Sequence, residues 1–342
     1  MTDSAAMTST ARSDPLISIT DFPRFSPRAP WWGGDLQTLR SSLIRTRDGV
    51  SGYRSERLDL SLRDGSGDRL AATVNLPGST PRQRPLVMLV HGVTGSEQSP
   101  YITSTAAYLL ELGFPVVRLN LRGAGPSRSL CRLQYHAGQT ADIGDAIASL
   151  PKQLTAGGIV AVGYSLGANL VLKFLGECGP DAPVLAAAAV SAPLDLVATA
   201  EQLRRRRNFV YHRHLLHHMR HDTLAAGTAL TVAERRAVEA ARSLWQFDND
   251  FTAPRNGYAG AEDYYVRNSC GAFLGRIAVP TLMIHALDDP LVPAAPYGSY
   301  AWDGNRNLVP LLTRYGGHVG FAGQDSRVAW HDLCVTQFLD RL

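Results

Sequence analysis

Long apolar runs are missing from this chain of 342 residues. The longest candidate, Val184 to Ala200, is alanine-rich and broken by Pro193 and Asp195. It reads as a buried strand and its exit loop, not as a bilayer-spanning helix. Residues 1–20 are rich in Ser, Thr, Ala and Asp and lack the apolar stretch of a secretory leader. A disordered tail is expected there. Cysteine is scarce: Cys131, Cys178, Cys270 and Cys334 lie far apart, with no C-x-x-C pair. That spacing excludes a zinc ribbon and a disulfide framework and fits a reducing, cytoplasmic setting. Neither sign of charge dominates. With 34 basic and 30 acidic residues the net charge is +4, too diffuse outside one segment to imply a nucleic-acid partner. No internal repeat is visible. The remaining composition is ordinary and globular, 45% hydrophobic, which is enough for a large core.

The apolar residues fall into a rhythm. After an opening with Trp31-Trp32-Gly33-Gly34, where paired tryptophans are expected to cover a core edge, Arg57–Leu62 and Arg69–Leu76 flank the turn Asp64-Gly65-Ser66-Gly67 as a hairpin. Leu86–Val90, Phe114–Leu121, Ile159–Val162 and Val184–Val190 are short apolar runs typical of strands buried on both faces. Helical periodicity separates them, over Ser99–Leu112, Ala141–Leu154 and Ala168–Glu177. The rhythm stops at Leu194 and resumes at Pro280–Ala286, followed by a strand over Leu308–Arg314 and a closing helix over Asp325–Leu342. The expectation is an α/β fold: a mostly parallel, twisted sheet with helices on both faces and an inserted helical cap over its C-terminal edge. The divisions are a tail at 1–20, a first core part at 21–193, a cap at 194–276 and a second core part at 277–342.

One motif organises this frame. Gly163-Tyr164-Ser165-Leu166-Gly167 reads G-x-S-x-G, with a strand before it and a helix after it. That context forms a nucleophile elbow, which lifts a serine above the sheet edge. Serine needs a base in contact, and the base needs a third group to orient it. Later strand ends supply both: Asp288-Asp289-Pro290, then Gly316-Gly317-His318-Val319-Gly320. Residue type alone leaves Asp288 and Asp289 open. Attack on an acyl carbonyl creates an oxyanion, which needs fixed donors. The backbone N–H of Leu166 is one candidate. The other lies in His91-Gly92-Val93-Thr94-Gly95, most simply at Val93. His285 reads as a satisfied core residue and His91 as a loop prop. The basic run Arg204–Arg207 continues into a histidine-rich stretch whose pairs His214/His218 and His217/His221 stand at helical spacing. With no carboxylate or cysteine ligand in that pattern, no metal site is assigned. The stretch reads as a basic cap face that could touch anionic lipid head groups weakly.

These motifs together resemble the α/β-hydrolase superfamily and, within it, the YheT-like branch of predicted carboxylesterases and abhydrolase-domain lipid esterases. The resemblance rests on Asp35-Leu36-Gln37-Thr38, His91–Ser96, Asn120-Leu121-Arg122-Gly123, Gly163–Asn169, Asn256-Gly257-Tyr258, Asp263-Tyr264-Tyr265, Asp288-Asp289-Pro290 and Gly316–Phe321. Asp35 stands where such proteins commonly carry histidine, and Ala168 replaces a frequent glycine. The resemblance implies a serine hydrolase of small-molecule or lipid carboxylic esters, working through an acyl-enzyme without metal or organic cofactor. It also selects Asp289 as the acid, three residues past a strand end and just before Pro290. Acyl transfer through the same Ser165, Asp289 and His318, or a non-catalytic ligand-binding role, are the alternatives.

Overall fold

Eight strands form one sheet, in the order β1-β2-β4-β3-β5-β6-β7-β8. The strands are β1 (Arg54–Ser61), β2 (Arg69–Leu76), β3 (Leu86–Val90), β4 (Val116–Leu119), β5 (Ile159–Tyr164), β6 (Ala186–Val190), β7 (Thr281–Ala286) and β8 (Leu308–Thr313). The computed structural model describes residues 19–44, 49–78, 84–225 and 229–342; the expected tail therefore lies outside the described residues up to position 18. The β1–β2 hairpin joins the sheet antiparallel through β2 and β4, and all later pairings are parallel. The mostly parallel α/β architecture expected from the apolar rhythm is the one found.

Period-two alternation explains the layers. In β3, Val87 and Leu89 point into one core and Leu86, Met88 and Val90 into the other. The first core is covered by the helices Pro100–Glu111 and Trp330–Leu339, the second by Ala141–Ser149 and Leu166–Cys178. A strand sandwiched in this way has no polar face to show, hence the unbroken apolar runs. Between β6 and β7 the described chain makes helices and turns but no strand, including Leu196–Arg204, Phe209–Leu224, Val232–Ala240 and Ala261–Asn268. This segment has its own apolar cluster around Leu203, Leu216, Val238, Phe247 and Phe251.

Several local expectations are corrected. The helix expected over Ala141–Leu154 ends at Ser149, because Leu150 precedes Pro151 and is driven extended. The closing helix begins at Trp330, well after Asp325; Ala329 is still extended, and the Ser326 hydroxyl accepts from the Val328 N–H in a turn. Trp32 does not cover a core: it is 62% exposed. His285 is fully buried, but neither of its ring nitrogens finds a partner among the described residues. Its ring lies flat on Tyr297 instead, with centroids 3.9 Å apart.

Candidate active site

The C-terminal edge of the sheet is where the backbone is strained. The five described non-glycine residues with positive φ are Thr94, Ser165, Ser191, Val319 and Phe321. They follow the ends of β3, β5, β6 and β8. Each such residue costs on the order of 1–3 kcal/mol, so the surroundings must hold it in place. Ser165 sits at φ 53°, ψ −120°, between β5 and its helix. Two glycines make that turn possible. A Cβ on Gly163 would come within 2.5 Å of Ala168 Cα, and one on Gly167 would strike the carbonyl oxygens of Val90 and His91. The helix is pinned by Asn169, which accepts from the Cys270 N–H at 3.0 Å and donates to the Ala137 carbonyl.

Tertiary packing joins three loops here. His318 Nε2 lies 2.9 Å from Ser165 Oγ, and His318 Nδ1 lies 2.8 Å from Asp289 Oδ2. The other Asp289 oxygen accepts two backbone N–H groups, from Leu291 and Val292. Asp289 is buried, which pushes its carboxyl pKa up; the facing His318 ring, the nearby His285 and the Val292 N–H outweigh burial and hold it below the ordinary range. Asp288 faces elsewhere. Its Oδ1 accepts from the Gly317 N–H at 2.9 Å, and burial raises its pKa. Neighbouring residues leaving one strand thus point apart.

Donors for an anion can be found by elimination. In the loop after β3, the Gly92 N–H is taken by the Tyr101 hydroxyl, the Thr94 N–H by the Tyr135 hydroxyl and the Gly95 N–H by the Gly92 carbonyl. The Val93 N–H donates to nothing among the described residues, and neither does that of Leu166, the first residue of the elbow helix. Both residues line one cavity with Ser165 and His318. His91 props this loop as a neutral ring: Nδ1 bonds the Gly92 carbonyl and Nε2 accepts from the Leu121 N–H. Burial lowers its pKa to about 4, so it stays uncharged at neutral pH.

Residue patterns gave no role to the groups that hold the histidine loop. Thr38 Oγ1 accepts from the His318 N–H at 2.8 Å and donates to the Gly34 carbonyl. Gln37 clamps the same loop, accepting from the Ala322 N–H and donating to the Trp31 carbonyl. A Cβ on Gly34 would strike the Asp288 carbonyl oxygen. The run Asp35-Leu36-Gln37-Thr38 was the available signal, but its partners lie about 280 residues away in sequence. Asp35 itself turns outward, to Arg207 at 2.9 Å and the Tyr211 hydroxyl at 3.0 Å. It thereby ties the helix Gly34–Leu43 to the segment between β6 and β7. That segment walls the cavity with Leu203, Met219, Leu244, Phe247 and Phe251, and adds a buried carboxyl, Asp248, whose pKa burial raises to about 6.

Residues 85–321 match the alpha/beta hydrolase fold family. With an eight-stranded sheet and a serine elbow, the chain belongs to that family and to its YheT-like branch. It is 33% identical over 320 residues to YheT of Escherichia coli (strain K12), a provisionally named esterase, spanning 90% of this chain and 91% of that one. It is 28% identical over 316 residues to a human protein named phospholipase ABHD3, spanning 90% of this chain and 75% of the relative. Among solved structures, the Pyrococcus furiosus esterase Pf2001 superposes with a TM-score of 0.58 at 16% identity, covering 94% of this chain and 98% of that one; this likeness concerns the fold.

Proposed function

We propose that this chain is a serine hydrolase of carboxylic esters, with Ser165 as nucleophile, His318 as general base and acid, and Asp289 as the group that orients the imidazole. The observation that carries the reading is the unbroken hydrogen-bond chain from Ser165 Oγ through His318 to Asp289. Membership of a family whose relatives bear the names esterase and phospholipase supports ester hydrolysis as the reaction class. His318 takes the proton from Ser165 Oγ as that oxygen bonds to the acyl carbon. The carbonyl oxygen becomes an anion facing the N–H groups of Val93 and Leu166. Collapse expels the alcohol, which leaves with the proton from His318. Water then repeats the sequence on the acyl-enzyme, releasing the acid and restoring the serine. Each oxyanion donor in such a site contributes about 10²–10³ in kcat.

Residues 194–276 form the cap in this reading. They bring mainly apolar side chains to the cavity, which suits the acyl part of a small-molecule or lipid ester. No helix among the described residues is long and apolar enough to cross a membrane. All four cysteines are free, which accords with a reducing, cytoplasmic location. A fluorophosphonate probe tests the assignment. It should label the wild type and fail to label Ser165→Ala; labelling that survives the substitution overturns the reading. Adding an alcohol acceptor to the ester assay separates hydrolysis from acyl transfer by product.

A further inference from the structure

The helix Phe209–Leu224 has two working faces. Leu215, Met219 and Thr223 line the Ser165 cavity. Phe209, Arg213, His217 and Arg220 recur at helical spacing on the other side, where they line a second, shallow groove with Arg242. No acidic side chain lines that groove. Three other cations of the segment are paired, Arg207 with Asp35, Arg255 with Glu234 and Arg267 with Asp263, whereas Arg204, Arg205, Arg206, Arg235 and Arg236 share the groove arginines' lack of a carboxylate among the described residues. Arg213, Arg220 and Arg242 have no carboxylate partner among the described residues. Unpaired cations gathered in one groove repel each other, so an anionic surface brought against them relieves a cost that solvent only screens.

Charge is half of the pattern. Phe209 is 58% exposed and Val210 71% exposed at the start of the same helix, and exposed Arg205 and Arg206 lie just before them. A solvated basic helix has no need of apolar side chains at its rim. A helix lying on a bilayer does, because they enter the boundary below the head groups while arginines meet the phosphates. The Phe209 ring is not a free platform for stacking a nucleobase: the Arg213 guanidinium already lies over it, 5.5 Å from its centroid. The other face of the same helix lines the proposed ester site.

We propose that the Arg213–Arg220–Arg242 groove and its Phe209–Val210 rim dock the protein on an anionic lipid bilayer, which brings the neighbouring Ser165 cavity near lipid esters. This rests on the ester-hydrolase reading for its purpose but not for its test. An arginine near an anionic surface contributes about 1 kcal/mol, or about five-fold in binding. Arg213→Gln, Arg220→Gln and Arg242→Gln combined should therefore weaken binding about 100-fold.

The experiment is co-sedimentation of the full chain with vesicles of mixed phosphatidylglycerol and phosphatidylcholine, and with phosphatidylcholine alone. The wild type should bind the mixed vesicles, bind neutral ones far less, and be released at about 1 M salt, where screening reaches about 3 Å. The triple variant should lose binding and keep its activity on a water-soluble short-chain ester. Phe209→Ser with Val210→Ser should also bind less, with the salt dependence intact. Ser165→Ala should bind like the wild type. If the wild type binds but cleaves no ester, docking stands and the hydrolase reading falls. Equal binding to both vesicle types, a triple variant that binds normally, or tighter capture of single-stranded DNA through the same arginines overturns the proposal.

Discussion

Replacing Asp289 with asparagine exchanges one oxygen for an NH2 group, and the structure dictates where that group must go. Asp289 Oδ1 holds the N–H groups of Leu291 and Val292, at 2.8 and 2.9 Å. An asparagine that turned its NH2 toward them would set donor against donor and leave two amides unsatisfied, at about 1–3 kcal/mol each. The carbonyl oxygen therefore stays with the amides, and the NH2 faces His318 Nδ1. That nitrogen must then accept, which puts the ring proton on Nε2, 2.9 Å from Ser165 Oγ. A ring in that tautomer cannot take the serine proton. The expected loss is about 10⁴ in kcat, or about 5 kcal/mol of barrier, with KM little changed. Asp288→Asn keeps the oxygen that accepts from Gly317, and should alter kcat no more than about two-fold. The assay is steady-state turnover of a chromogenic ester by both variants, with melting curves to verify folding. An Asp289→Asn enzyme retaining a tenth of its kcat, or a folded Asp288→Asn enzyme that is inactive, would refute the argument.

Two further outcomes follow from neighbouring contacts. Thr38→Ala removes the acceptor of the His318 N–H, and the freed loop should lower kcat about ten-fold, as expected for an unmade hydrogen bond of about 1.4 kcal/mol. Thr38→Ser should restore activity; failure of the serine variant to do so would show that the hydroxyl is not what matters. Stability should fall with pH in a defined window. Burial lowers the pKa values of His91, His136 and His285 to about 4, from 6.5. Below pH 6.5 the unfolded chain takes up protons that the folded chain refuses until about pH 4. Each histidine thus removes about 3 kcal/mol across that interval. Asp248, raised from 3.8 to about 6, works in the opposite direction by about 3 kcal/mol. The net loss is comparable to a typical total stability. Urea midpoints that stay flat from pH 6.5 to 4 would contradict these burial effects.

Local sequence by itself determined the sheet and the positions of the candidate reactive side chains along it. Apolar runs such as Leu86–Val90 are legible because a strand covered on both faces needs no polar alternation. Gly163 and Gly167 mark the elbow because a Cβ at either position would collide with backbone. His318 and the Asp288-Asp289 pair stand out for the same local reason, as chemistry-bearing residues just past strand ends. Their meeting was expected only from the chain order of the fold and from the family resemblance, not from local pattern. His318 comes to Ser165 across 153 residues of sequence, and the choice between Asp288 and Asp289 is made by which carboxylate the Leu291 and Val292 amides hold. Tertiary structure alone decided that Gln37 and Thr38 clamp the histidine loop, that Tyr101 and Tyr135 occupy the amides either side of Val93, and that Trp32 stays in solvent. Each depends on a partner distant in sequence or on how loops pack at the sheet edge. Periodicity and residue type record which face an element buries; they carry no information about which loop its ends will touch.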